Sequence, residues 1–213
     1  MSIETLNKYI QENRVIRGKW TDIDKEGRET ACLLAALSPE VANSQDPSKC
    51  PANLMPEWMA HLTPFIDDSG SIEKWPHVIR RYADLASRWH VLSSEAWARA
   101  GYRVRRVSLI EAMGHTKDEK VLAVCSNVLK LLDRAMAGDF PAEQEWKAAE
   151  AAAAAATAAA AAEAAAEAAA TAAEAAATAA EAWAAEAAAA AADRIIDGIF
   201  EVLEDEIKGA KEK

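Results

Sequence analysis

The sequence predicts an all-α protein in two parts: a small helical N-terminal domain over residues 1–140, then a very long Ala-rich helix with a seven-residue polar repeat over 141–208. Three observations lead there. Residues 1–140 carry 19 Lys+Arg and 19 Asp+Glu, whereas 141–213 carry 5 and 15, so the whole formal charge of -10 lies in the last third. From 148 to 192, 35 of 45 residues are Ala, the best helix former, so this segment needs no tertiary help to become helical. Neither Gly nor Pro occurs from 142 to 197, which leaves the helix without a breaker.

Within the first part, residues 2–12 read as a short helix, with Ser2 as its cap and Leu6 and Ile10 on one face. Glu26-Gly27 marks a small hairpin or a turn. Residues 30–41 read as a buried helix broken near Ser38-Pro39, followed by a loop over 42–53. A helix over 54–63, a loop at Asp67-Asp68-Ser69-Gly70-Ser71 and a helix over 73–90 with Val78, Tyr82, Leu85 and Trp89 on one face come next. Ser93 or Ser94 caps a helix running to Met113, and Thr116 with Glu119 forms a capping box for a helix ending near Gly138. Pro141 then starts the long helix at a position where a missing N–H is harmless. At 1.5 Å per residue that helix would reach roughly 100 Å, so it either projects or folds back.

The exceptions to alanine are ordered. Thr157, Glu163, Glu167, Thr171, Glu174, Thr178 and Glu181 fall in one stripe of an ideal helix, and Glu167, Glu174 and Glu181 recur every seven residues, as do Thr171 and Thr178. Seven is the period at which a helix keeps one face toward a neighbour. The polar stripe is then the wet side and the alanines the contact side, wide enough that a monomer would not leave them bare. Alanine permits a close axial approach, which points to another Ala-rich helix: a second copy of the chain, or intramolecular helix packing. Trp183 lies on the alanine side of the stripe, buried in a packed assembly and exposed on a free rigid spacer.

Two other features complete the interaction surface. Arg99, Arg103 and Arg106 share a helix face and could lie along the Glu/Thr stripe. The end of the chain changes character over 193–208, where Ile196, Ile199, Phe200 and Leu203 build an amphipathic face that anchors the helix on the N-terminal domain or on a partner. Residues 209–213 read as a disordered tail.

Residues 150–190 resemble the type I fish antifreeze proteins, in which an alanine-rich helix carries regularly placed threonines. The resemblance implies ice binding, which in that family rests on Thr at an eleven-residue interval. Here Thr157, Thr171 and Thr178 are fourteen and seven apart and share their side with Glu.

Chemistry is harder to find. Asp22, Asp24 and Glu26 alternate before Gly27 as in an EF-hand loop, but the twelfth position is Leu33 and no bidentate Glu closes the loop. His61, His77, His90 and His115 are dispersed, and no GxxxxGKS, GxGxxG or GxSxG occurs. No cofactor, metal or catalytic residue is therefore predicted, and the balance is against an enzyme. Three widely spaced cysteines, Cys32, Cys50 and Cys125, and the absence of a secretory leader suggest a cytoplasmic protein; Glu163, Glu167, Glu174, Glu181 and Glu186 argue against a membrane span. The function expected is that of a structural or interaction protein whose Ala-rich helix mediates close helix packing or self-assembly. Alternatives are a nucleic-acid-associated regulatory module, suggested by Arg interleaved with aromatics over residues 79–109, and ice binding.

Overall fold

Proline, glycine and short polar side chains set most helix ends in the computed structural model, which describes residues 3–156 and 177–211, the side chains of 177–184 and of 186 excepted. Ser2, read as the cap of the first helix, lies outside the described residues. That helix, α1, spans Ile3–Gln11 with Leu6 buried. Helix α2, Leu33–Leu37, is buried along its whole length. Ser38 closes it by donating its N–H to the Leu34 carbonyl, and its Oγ accepts from the Val41 N–H to open α3, Pro39–Ser44, with Pro in the first turn. The break expected at Ser38-Pro39 is therefore one residue serving two helices. A 3-10 turn over Pro47–Lys49 interrupts the loop that follows.

Helix α4 spans Glu57–Asp68 and α5 spans Trp75–Arg88. Asp67 and Asp68, expected in a loop, thus belong to the last turn of α4. Helix α6, Ser94–Gly114, is capped by Ser93, whose Oγ accepts from the Ala96 N–H at 3.2 Å. Helix α7 spans Glu119–Met136, and its cap is Asp118, which accepts from the N–H groups of Lys120 and Val121. Thr116, expected as the cap, instead accepts from the Asp118 N–H one step earlier. Gly138, at φ 85, ends this segment. Helix α8 is described over 143–156 and α9 over Ala177–Lys211.

The protein is mostly helical, but the all-α expectation needs one correction: strands β1, Thr21–Ile23, and β2, Glu29–Ala31, pair antiparallel with Asp22 opposite Thr30. Asp24 and Gly27 make the turn. The Asp24 carboxylate accepts from the N–H groups of Glu26 and Arg28, and Gly27 adopts φ 79. The same hydrogen bonds leave no EF-hand geometry. Residues 14–16 flank β2, where the Arg14 carbonyl accepts from the Ala31 N–H, and the Trp20 carbonyl accepts from Cys32, which leads into α2.

Contacts divide the chain into two units, Met1–Gly101 with Ala189–Lys213, and Tyr102–Ala188. The boundaries fall within α6 and α9. In the first unit, T-shaped ring pairs link Tyr82 to Trp89, Trp89 to Trp97 and Trp97 to Trp58, with centroids 5.7 to 5.9 Å apart. The Tyr82 hydroxyl lies 3.1 Å from Thr63 Oγ1, which satisfies both in the core. In the second unit few described residues are buried, among them Val104, Leu132 and Ala135. Along α7, Val121, Leu122, Val124, Val128, Leu129 and Leu131 remain half-buried. Among the described residues, no helix is long and apolar enough to cross a membrane.

Candidate functional site

The expected interaction residues divide into a group that the chain uses on itself and a group beyond description. Ile196, Ile199, Phe200 and Leu203 recur at helical spacing in α9 and are all buried within the first unit. Their polar neighbours fix the register. Asp193 Oδ1 accepts from the Ser71 N–H at 2.9 Å, and Lys74 Nζ lies 3.5 Å from its other oxygen. Burial works against the charged form of Asp193, but the Ser71 N–H and the Lys74 ammonium outweigh it and hold the carboxyl below its ordinary range. Arg81 donates to Glu204 at 2.7 Å and to Asp197 at 3.2 Å, while its guanidinium sits 5.2 Å from the Phe200 ring centre. The apolar end of the sequence is thus an internal anchor, and these side chains are not a free surface for a partner.

One position tests this anchor. A Cβ at Gly70 would lie 2.7 Å from Asp193 Oδ1 and 3.1 Å from Ile196 Cδ1. Gly70→Ala should therefore destabilise the first unit by about 1–3 kcal/mol, the usual penalty for overpacking, as read from a denaturant midpoint at unchanged m-value. A neutral result would show that α9 is not seated on residue 70.

The arginine row separates. Arg99 donates to Glu206 at 2.9 Å within the first unit, and Arg106 donates to Asp133 at 2.9 Å within the second. Arg103 is also engaged. Arg99 and Arg106 thus have acidic partners in Glu206 and Asp133, while the side chains of the Glu/Thr stripe lie outside the described residues. Glu167, Thr171 and Glu174 lie outside the described residues, and Thr178, Glu181 and Trp183 are described only as helical backbone of α9. Of the aromatic residues interleaved with arginine, Tyr82 and Trp89 are buried, and Trp97 packs edge-on against Trp89.

Two places not singled out in the sequence stand out. The first is a groove of about 490 Å³ in the second unit, where Val124 and Leu131 of α7 face Ala148, Ala149 and Ala152 of α8, with Asn127, Lys130, Arg134 and Glu145 as its polar lining. Arg134 bridges the two helices by donating to Asp139 at 2.7 Å and Glu145 at 2.6 Å. Its charged form is favoured by those hydrogen bonds.

The second is a cavity of about 110 Å³ in the first unit, where Asp67 at the end of α4 meets Cys32 at the start of α2, beside Trp20 and Pro64. Asp67 is 1 % exposed. Its Oδ2 accepts from the Leu33 N–H at 3.2 Å, whereas Oδ1 is buried without a hydrogen-bond partner. Burial pushes the carboxyl up to about 8, Asp68 adds to that, and the Leu33 N–H, the Cys32 thiol and the Arg17 guanidinium oppose it. Burial likewise pushes the Cys32 thiol up to about 12, which makes it a poor nucleophile. The sulfur instead caps α2, accepting from the Ala35 N–H. Among the described residues, no group of three His, Cys, Asp or Glu could hold a metal ion. The only prior signal for Asp67 would have been an acidic residue beside the apolar Phe65-Ile66 pair, which in sequence is indistinguishable from a helix end.

Comparison with protein-family models, curated proteins and solved structures gives no match for this chain.

Proposed function

We propose that the protein is a structural or interaction protein that associates with a second copy of itself through its Ala-rich helix. The observation that carries this reading is the α7/α8 groove. Its floor combines aliphatic side chains of α7 with the alanines that begin the tract, a surface shaped for small-residue packing. The half-buried apolar row of α7 runs beside it. Lys130 lines the groove beside an Arg134 already paired with Asp139 and Glu145, while residues 148–192 contain no Lys or Arg and repeat Glu every seven over 167–181. The signs match for an incoming tract from another chain. With Ile196, Ile199 and Phe200 committed within the first unit, association rests on alanine packing and half-buried aliphatics, and is correspondingly modest in strength.

Light scattering of the full chain over a concentration series tests the reading. Ala152→Arg places a long cation in the groove on an exposed helix position, so it should return the mass to that of a monomer at unchanged melting temperature. If the unaltered chain is already monomeric at high micromolar concentration, the tract acts as a rigid spacer and self-association is wrong.

A further inference from the structure

We infer that the cavity beside Asp67 binds the head of a small primary alkylammonium ion, with Asp67 Oδ1 as its acceptor and Trp20 as its wall. The carboxylate oxygen is fully buried and unpartnered, where the other buried side-chain N and O atoms of the described residues find partners, so it invites a donor. A volume of about 110 Å³ holds a head group of a few heavy atoms and no large ligand. At roughly 30 Å³ per water, it also holds a few waters, the occupants a cation must displace.

The charges favour a cation over an anion. Asp67 and Asp68 both line the cavity, and Asp68 Oδ1 is held by the Gly18 N–H at 2.6 Å. The nearby cations are already engaged: Arg17 donates to the Gly70 carbonyl at 2.7 Å, and Lys19 Nζ reaches Asp22 at 2.6 Å. Trp20 supplies an aromatic surface of the kind that attracts ammonium groups. A primary ammonium has N–H donors to give to Oδ1, whereas a quaternary ammonium has none. That difference separates binding at Asp67 from simple attraction to an acidic surface.

Proton and ligand then compete for one oxygen. The groups facing Asp67 are Asp68 on its own helix, Cys32 from α2, Arg17 and Lys19 from the segment before β1, and Tyr82 from α5. Burial pushes the Cys32 and Tyr82 groups up, so both remain neutral from pH 6 to 9. Alkylammonium ions, like the Lys side chain, stay charged there. The pH dependence of binding therefore reports Asp67.

The experiment is calorimetric titration of the full chain with ethylammonium chloride between pH 6 and 9, beside tetramethylammonium and sodium chloride. Affinity for ethylammonium should rise about tenfold per pH unit from 6 to 7 and level off near 9, with neither control cation binding comparably. Asp67→Asn should weaken it at least tenfold at pH 9 and remove the pH dependence. Trp20→Leu, which leaves the carboxyl in place, should weaken it severalfold and keep the pH dependence, and it serves if the Asn variant does not fold. Nα-acetyl-lysine amide distinguishes a lysine side chain from a free amine as the source of the head group, and tighter binding of either supports the site. The inference is overturned if no heat appears at millimolar ethylammonium at pH 9, if tetramethylammonium binds equally well, or if folded Asp67→Asn binds unchanged. These outcomes are independent of whether the chain self-associates.

Discussion

Phe200→Ala should destabilise the first unit by about 3–5 kcal/mol, the range found for truncating a buried aromatic side chain to alanine. Phe200 is fully buried, so the vacated volume has no water to fill it cheaply, and the substitution also removes the ring on which the Arg81 guanidinium rests. Arg81 keeps Glu204 and Asp197, whose hydrogen bonds hold its charged form. The loss is therefore one of packing rather than of an orphaned charge. At about 2–4 °C per kcal/mol for a chain of this size, the melting midpoint should fall by roughly 6–20 °C. Ile110→Ala is the comparison: Ile110 is 45 % exposed, and its truncation should stay within about 0.5 kcal/mol. Equal effects at the two positions would mean that the end of α9 is not anchored on the first unit.

The second large effect is on pH dependence. In the unfolded chain Asp67 titrates near its ordinary value of 3.8, and in the folded chain near 8. Between those values the folded state holds a proton that the unfolded state has released, so this group's contribution to stability is complete below pH 4 and is lost as pH rises toward 8. The slope from this single proton is about -1.4 kcal/mol per pH unit in the middle of that window. Asp67→Asn removes it. The amide oxygen can still accept from the Leu33 N–H, and no charge develops in the cavity. Chemical denaturation of both proteins at pH 5, 7 and 9 should show the variant gaining relative to the unaltered chain at each step, by a few kcal/mol in total. Parallel stability curves would mean that Asp67 ionises normally, through water or an ion in the cavity.

Much of the helical layout was legible because its signals are local. Ser38-Pro39 stops one helix and starts the next through its own backbone and hydroxyl, and Gly138 takes a left-handed conformation that favours glycine. The amphipathic spacing of Ile196, Ile199 and Leu203 likewise reads directly, since burial follows helix period. Which surface receives that face is not a local property, and neither is the partner of Arg99, which is a carboxylate 107 residues away. The hairpin was legible as a turn at Gly27, but strands of three residues have too short a period to show alternation. Asp67 is the clearest case. In the string Asp67-Asp68-Ser69-Gly70-Ser71 it carries the composition of a loop, and only the approach of α2, about 35 positions earlier in the chain, encloses it. A buried carboxyl without a partner is a tertiary fact with no sequence signature of its own.

The union of Met1–Gly101 with Ala189–Lys213 has a consequence for biosynthesis. The receiving groups Ser71, Lys74 and Arg81 leave the ribosome well before Asp193, Asp197 and Glu204, to which they are bound in the finished protein. At about 5–20 residues per second, the 88 positions from residue 101 to 189 occupy roughly 4–18 s of translation. During that interval the nascent first unit exposes the apolar seat of Ile199 and Phe200, and the rest of α6, then α7, then the alanine tract emerge after it. A tract that is almost all alanine, with Trp183 as its one large apolar side chain, is poorly suited to fill that seat, so its alanines also keep the place open for the residues that belong there.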